Sequence, residues 1–446
     1  MNKYRNILLA AVLCQTITLQ GQTDPPARFS LEEAMEFAVQ NNLNAENARL
    51  EVDIADQRVW EATAAGLLQL NAAVNYNYNI NLATTLIPDF LGDPAEKIDV
   101  QFGTRHFATG GISASQLIFS GQYIVGLQTA RIFREFSARN RQRTEQQVKE
   151  GVMQNYYLVL LGGNTLEALR GNLVNLRRTY RETRELFRIG LVEALDADQL
   201  EVSLTSLENS VRSMERQVEA SRNLLKYQMG LERDREIILT DSLTALVSGI
   251  DFEAVQEQEL SLEENIYFQI LKDQEQLAMM DLKLKKTENL PSLSAFYSLD
   301  FTAQRDEFNF FRQDENWYRA SVVGASLNIP LFSSGMRRAG ISQKRIAYQQ
   351  ARNNRIYAAE GLRVEFLQAR FDFVTAMDKY RSEQKNLELA AKVVRVTEKK
   401  YGAGLASSFD LTQVNDQYLS TLGDYTTAMV EVLNAKIRID LLLNNI

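Results

Sequence analysis

Phe187-Arg-Ile-Gly190-Leu191-Val-Glu-Ala-Leu195-Asp196-Ala-Asp-Gln199 returns in the second half of the chain as Tyr401-Gly-Ala-Gly404-Leu405-Ala-Ser-Ser-Phe409-Asp410-Leu-Thr-Gln413. Aromatic, Gly, Leu, bulky apolar, Asp and Gln fall at the same offsets. Each copy follows one long helical pattern and precedes another. Self-similarity of this kind decides architecture before any other feature does. The chain reads as a duplication in which each half turns one long helical hairpin.

Working outward, roughly 121 to 187 lacks proline and reads as helix throughout, a rod of about 100 Å. In its distal half Leu166, Leu169, Leu173, Leu176, Tyr180 and Phe187 step by threes and fours, with Thr183 in one slot. The return helix, 196–230, answers with Leu200, Leu204, Leu207, Val211, Met214, Val218, Ser221 and Leu225. A spacing of 3.5 residues is the seam of a coiled coil. Gly162-Gly163 interrupts the rod and marks a bend, a close helix contact or simple tolerance. The second half repeats the plan with a long helix 335–401 and a return helix 410–443.

Each rod is preceded by a helix and two strands. Residues 31–66 read as helix, with Ser30 and Glu33 forming a capping box. The period then changes to two: Val74, Tyr76, Tyr78, Ile80 and Leu82 alternate with Asn75, Asn77, Asn79 and Asn81. Asparagine is a poor strand former, so its use at every second position implies a face that meets water. A barrel strand with lipid outside and a wet lumen inside has this alternation; a soluble sandwich strand is the other reading. Residues 83–104, with Pro88, Gly92 and Pro94, read as a loop. A second strand runs from Arg105 to Phe119, so the first β-hairpin spans 68–119. After an acidic connector at 231–260, helix 261–287 leads to a second hairpin, 291–332, and Asn265-Ile266 falls where Asn42-Leu43 stood. Four strands cannot close a membrane barrel, and open edges are not tolerated in lipid. The remaining strands must come from other copies of the chain.

Composition narrows the class. A net charge of −8 argues against a nucleic-acid scaffold. Arg131, Arg134, Arg139, Arg141 and Arg143 are the local exception, read as a solvated helix face balanced by neighbouring acids or as a patch facing phosphate or lipid headgroups. Residues 1–21 read as a signal peptide: Lys3 and Arg5 precede an apolar run from Ile7 to Leu19, with cleavage after Gly21. The single cysteine, Cys14, lies inside it. Leu13 is not the small residue a lipoprotein signal wants before that cysteine, so lipidation is not expected. No other window holds the apolar run that a membrane-spanning helix needs.

No catalytic constellation is present. His106 has no carboxylate or cysteine cluster around it in sequence and reads as a lumen or loop residue rather than a metal ligand. Gly404-Leu-Ala-Ser407-Ser408 has no strand before it and no histidine partner, so it is not a nucleophile elbow. There is no glycine-rich phosphate loop, and neither enzyme nor cofactor is expected.

The strand ends Leu117-Ile118-Phe119-Ser120-Gly121 and Pro330-Leu331-Phe332-Ser333, the paired turn motifs and the repeated element order resemble the TolC-type outer-membrane efflux and secretion duct family over nearly all of the chain. The resemblance implies a mainly α-helical chain with a transmembrane β-barrel. It implies a homotrimer whose twelve-stranded barrel, four strands per chain, continues into a long periplasmic α-helical coiled-coil barrel girdled near 231–260. In that setting Val74, Tyr76, Tyr78, Ile80 and Leu82 face lipid, and Asn75, Asn77, Asn79 and Asn81 face the lumen. Asp410 and Gln413 fall on the inward face of a periplasmic constriction, while Tyr401 and Asp196 match positions that tie its helices shut. Gln413 departs from relatives with a second aspartate there, and Ala406 stands where some use arginine for a second tie. Gly190, Leu191, Gly404 and Leu405 match the docking site of a periplasmic adaptor, which links the duct to an inner-membrane transporter. The end at Ile446 suggests that a long C-terminal tail of some relatives is lacking. Asp196 and Asp410 also suit helix capping. A structural or adhesive envelope protein, a coiled-coil stalk without conduction, is the alternative. The cargo is not written in the residues.

Overall fold

The computed structural model describes residues 27–88, 97–312 and 315–446. The expected signal segment, with Cys14, and Gly92 and Pro94 lie outside the described residues. In chain order come β1 (Ala27–Phe29), α1 (Leu31–Asn41), α2 (Leu43–Ala64), β2 (Gln69–Tyr78), β3 (Thr84–Pro88), β4 (Lys97–Gln101), β5 (His106–Ser120), α3 (Gly121–Arg188) and α4 (Ala194–Met229). There follow β6 (Ile237–Leu239), α5 (Leu243–Ser248), α6 (Phe252–Glu257), α7 (Ile266–Thr287), β7 (Ser292–Arg305), β8 (Tyr318–Asn328), α8 (Met336–Gly402) and α9 (Ser408–Leu443). These elements form two compact units. Of the described residues, one takes those up to Asn42 with Val148–Phe252 and Thr375–Asn434; the other takes those of Leu43–Gln147, Glu253–Val374 and Ala435–Ile446.

In the first unit the coiled-coil register is visible as burial. Leu200, Leu207, Val211, Val218 and Leu225 of α4 are buried, and Leu204, Met214 and Ser221 are half-buried between them. Arg170–Glu215 and Arg177–Glu208 ion pairs, both at 2.6 Å, flank this seam against α3. A side chain at Gly162 would run into Val218, so Gly162 marks a close helix contact, while Gly163 faces open space and is simply tolerated. The connector carries β6 and two short helices, α5 and α6, and β6 pairs in parallel with β1. Tyr156, fully buried, locks that pair to α3: its single hydroxyl proton is shared between the Phe29 carbonyl at 3.0 Å and Asp241 Oδ2 at 2.9 Å. Burial, with the Asp241 carboxylate beside it, pushes the phenol well above its ordinary range.

The expected single helix 31–66 is broken at Asn42, whose backbone is extended (ψ 128°). Asn42 is buried, and its Nδ2 donates to the Gln228 carbonyl at 2.8 Å near the end of α4. The second unit repeats the device. Asn265, also extended and buried, donates to the Leu442 carbonyl at 2.9 Å and caps α7 by accepting from the Phe268 amide at 3.0 Å. A buried amide must be hydrogen-bonded, and each asparagine satisfies itself on the end of its own half's return helix.

The second unit stacks a helical wall under a sheet. Arg134 of α3 pairs with Asp56 of α2, and Arg139 of α3 with Asp273 of α7. Lys344 and Arg355 of α8 reach Asp281 and Glu275 of α7 at 2.6 and 2.5 Å. The helices therefore stand in the order α2, α3, α7, α8. The basic stretch from Arg131 is largely paired: Arg141 meets Glu145, and Arg143 lies over the Tyr267 ring. Burial raises the Asp273 carboxyl and Arg139 pulls it back down, as a buried charge requires a partner.

The sheet has the same order as the wall, β2-β5-β7-β8, all antiparallel. Its register sorts side chains by face. Val74, Tyr76 and Tyr78 share one side with Ala108, Ile112, Tyr297, Leu299, Phe301, Val323 and Leu327. Asn75 and Asn77 share the other with Thr109, Ser113, Ser298, Asp300, Thr302 and Ser326. Phe107, Phe296, Val322 and Tyr318 interrupt this polar face, and Arg319 and Ser321 interrupt the apolar one; Phe296 lies over Gly324, where a methyl group would meet its ring.

Three expectations fail locally. Strand β2 ends at Tyr78, so Asn79, Ile80, Asn81 and Leu82 lie beyond it, with a bend at Ile80 and Asn81, outside the alternation of the strand. Asn79 turns back instead, its Nδ2 donating to the Thr104 carbonyl at 2.9 Å. The loop 83–104 contains a second hairpin, with β3 and β4 paired from Thr84 to Gln101. His106 stands on the aromatic face, not the polar one: it is level with Tyr78, and its Nδ1 is 2.8 Å from the Tyr76 hydroxyl. Among the described residues no helix is long and apolar enough to cross a membrane.

Candidate functional site

The two turns that carry the repeated motif close in the same way. Gly190 (φ +81°) donates to the Phe187 carbonyl and Leu191 to the Leu186 carbonyl, at 2.9 and 3.0 Å. Gly404 (φ +69°) donates to the Tyr401 carbonyl and Leu405 to the Lys400 carbonyl, at 3.0 and 2.8 Å. Each is a Schellman cap, which needs a left-handed residue where glycine carries no penalty. Such a cap ordinarily tucks the following apolar side chain against the helix. Leu191 and Leu405 are instead 70% and 78% exposed. The cap accounts for the glycines but not for leucines turned to solvent.

Past the turns, the two return helices begin differently. Helix α4 starts at Ala194 behind Glu193, which makes no side-chain cap bond. Asp196 sits in the first turn and accepts from the Ser408 hydroxyl at 3.1 Å. Helix α9 opens with a reciprocal box. Asp410 Oδ2 accepts from the Ser407 amide at 2.9 Å and hydroxyl at 2.8 Å, and Ser407 Oγ accepts from the Asp410 amide at 3.1 Å. Those bonds, the amide's first, hold the Asp410 carboxyl below the ordinary carboxylate range. Neither aspartate is itself the N-cap. Ser407 caps α9, Asp410 completes its box, and Asp196 ties the two return helices together.

Tyr401 and Asp196 do not meet within the chain. The Tyr401 hydroxyl is 2.8 Å from Oγ1 of Thr183, which is almost fully buried. Thr183 was the slot filled by a threonine in the stripe of α3, a visible signal whose partner lies more than two hundred residues away. Ser407 was legible too, since Ser-x-x-Asp before an apolar run is a capping pattern. Gln413 is one turn beyond Asp410 and lines a groove of about 770 Å³ between α4 and α9, with Leu195, Val202, Phe409 and Asp416. Among the described residues no three His, Cys, Asp or Glu side chains converge as metal ligands would.

Comparison with known proteins places this arrangement. Residues 35–231 and 260–445, one segment in each half, match the family described as outer membrane efflux protein. The outer membrane protein TolC of Vibrio cholerae is 22% identical over 332 residues, covering 72% of this chain and 69% of that protein. The CmeC outer membrane channel of Campylobacter jejuni superposes with a TM-score of 0.74 at 14% identity, covering 93% of this chain and 85% of CmeC. VceC of Vibrio cholerae gives 0.69 at 14% identity, covering 93% and 95%. The open state of the Neisseria gonorrhoeae MtrE channel gives 0.68 at 15%, covering 93% and 88%. With the family match spanning most of both repeats and the fold shared along nearly the whole chain, the protein belongs to the outer membrane efflux protein family, TolC-type channels of the bacterial outer membrane that extend into the periplasm.

Proposed function

We propose that three copies of the chain close into one duct that passively conducts substrate from periplasm to exterior, as the exit of a tripartite efflux pump or a type I secretion system. The observation that carries this reading is a pair of matched open edges. The sheet ends at β2 and β8, and the wall below it ends at α2 and α8. The wall's edges are also apolar and exposed: Leu50, Ile54 and Trp60 on α2, and Tyr357, Val364 and Phe371 at seven-residue steps on α8. A second copy seated edge to edge pairs strand with strand and covers both stripes, and only a closed ring leaves no edge in lipid. The aromatic face of the sheet then meets lipid, and the Asn, Ser and Thr face lines a wet lumen. A stalk without conduction gives no account of that polar face.

In this reading the two Gly-Leu turns receive a periplasmic adaptor, which connects the duct to an inner-membrane transporter that supplies the energy. The contacts of Tyr401, Thr183, Asp196 and Ser408 hold the helix tips together as an iris-like gate, with Asp410 and Gln413 at its mouth. The MtrE structure is described as an open state of that channel, which agrees with a duct that opens and closes. Purified protein in a planar bilayer is expected to give discrete, ohmic conductance steps without nucleotide or a proton gradient. A reconstituted protein that never conducts, even after the tip contacts are removed, overturns the reading.

A further inference from the structure

The chain is acidic as a whole, yet the junction between the sheet and the helical wall is cationic. Helix α7 ends in Lys283, Lys285 and Lys286, and α8 begins with Arg337 and Arg338. The two helix ends lie side by side. The Lys285 side chain packs over Gly340, and Arg337 Nη1 donates to the Glu288 carbonyl at 3.3 Å. Two of the five cations are used locally. Lys285 pairs with Glu288 at 2.8 Å, and Arg337 also donates to the Pro330 carbonyl and the Ser333 hydroxyl at 2.9 and 3.0 Å. Lys283, Lys286 and Arg338 are exposed, and among the described residues their side chains make no hydrogen bond or ion pair. Lys283 and Lys286 are three residues apart and so share a helix face.

Directly above this belt the surface is apolar. Leu331 and Phe332 are 88% and 86% exposed, and Leu290, Phe119 and Leu327 are also open. An apolar band bordered by free cations matches the headgroup boundary of a leaflet, with acyl chains against the leucines and phosphates beside the lysines. This end of the sheet joins the long helices, so the leaflet is the one facing the periplasm.

We propose that this junction is a binding surface for anionic glycerophospholipids of the periplasmic leaflet. Lys283 and Lys286 supply point charges, and the Arg338 guanidinium suits bidentate recognition of a phosphodiester. The surface needs only the membrane placement of the sheet and stands whether or not the duct conducts.

Native mass spectrometry of the purified protein, offered phosphatidylglycerol and phosphatidylcholine of matched acyl chains, tests it. Each cation near an anionic surface strengthens binding, so the preference for phosphatidylglycerol should be on the order of tenfold to a hundredfold. Lys283→Gln/Lys286→Gln/Arg338→Gln should erase that preference at unchanged assembly mass, and Lys283→Arg/Lys286→Arg/Arg338→Lys should keep it. Should the neutral variant fail to assemble, the comparison of the two lipids on the parent and on the charge-retaining variant still decides. Equal uptake of the two lipids by the parent, or a neutral variant with the parent's preference, overturns the proposal. So does displacement of phosphatidylglycerol by lipid A, the anion of the opposite leaflet.

Discussion

Gly190→Glu and Gly404→Glu are each expected to reduce export to background while the protein still assembles. Both glycines hold positive φ, and a Cβ at either would meet no neighbour within 4 Å. The cost of a side chain there is therefore the left-handed backbone alone, roughly 1–2 kcal/mol, too little to unfold a helical hairpin this long. What changes is the surface. A charged side chain stands beside Leu191 or Leu405 where an adaptor's helical tip would need close backbone approach. Alanine separates the two effects, since it imposes the same strain with almost no bulk. Gly190→Ala and Gly404→Ala should export far better than the glutamates, and Leu191→Asp or Leu405→Asp should fail without straining the backbone. Export at the parent's level in both glutamate variants would put docking elsewhere.

The second large effect is expected at the tip. Tyr401→Phe removes the hydroxyl that meets Thr183, leaving a nearly buried threonine without that partner. Losing such a bond costs about 1–3 kcal/mol per copy, and three copies in a ring multiply the bias toward an open iris. Conductance of the assembled protein in planar bilayers should rise, and Thr183→Val should reproduce much of the rise. The double variant should add little, because both changes remove the same contact. Asp410→Ala acts differently. It loses the reciprocal box with Ser407, and it removes a carboxylate whose pKa those bonds lower. Cation preference should therefore weaken more than conductance changes. If Tyr401→Phe, Thr183→Val and Asp410→Ala all conduct like the parent, these residues serve helix termination alone and the gate is wrong.

The elements with long periods were readable from the chain. Burial at seven-residue steps along α4 and the alternation through Val74, Tyr76 and Tyr78 are repeated physical constraints, so many residues report one answer. Single-residue events were not. The sequence alternation continues to Leu82, but β2 stops at Tyr78, where the Asn79 side chain turns to the Thr104 carbonyl. The β3–β4 hairpin rests on two five-residue runs around prolines, too short for a period of two to stand out. The break at Asn42 depends on a carbonyl near the end of α4, far away in sequence. At the tip the motif marked the right turns and helices, while the partners of Tyr401 and Asp196 came from tertiary structure. Thr183 and Ser408 lie on other helices, and no local spacing specifies such pairs.

The central claim is that one chain supplies a third of a closed ring. Its most direct test is the mass of the mature protein, purified from membranes in detergent and measured by light scattering with the detergent contribution removed. Three chains per particle, with no smaller species at working concentrations, is the predicted result; a stable, water-soluble monomer would contradict it.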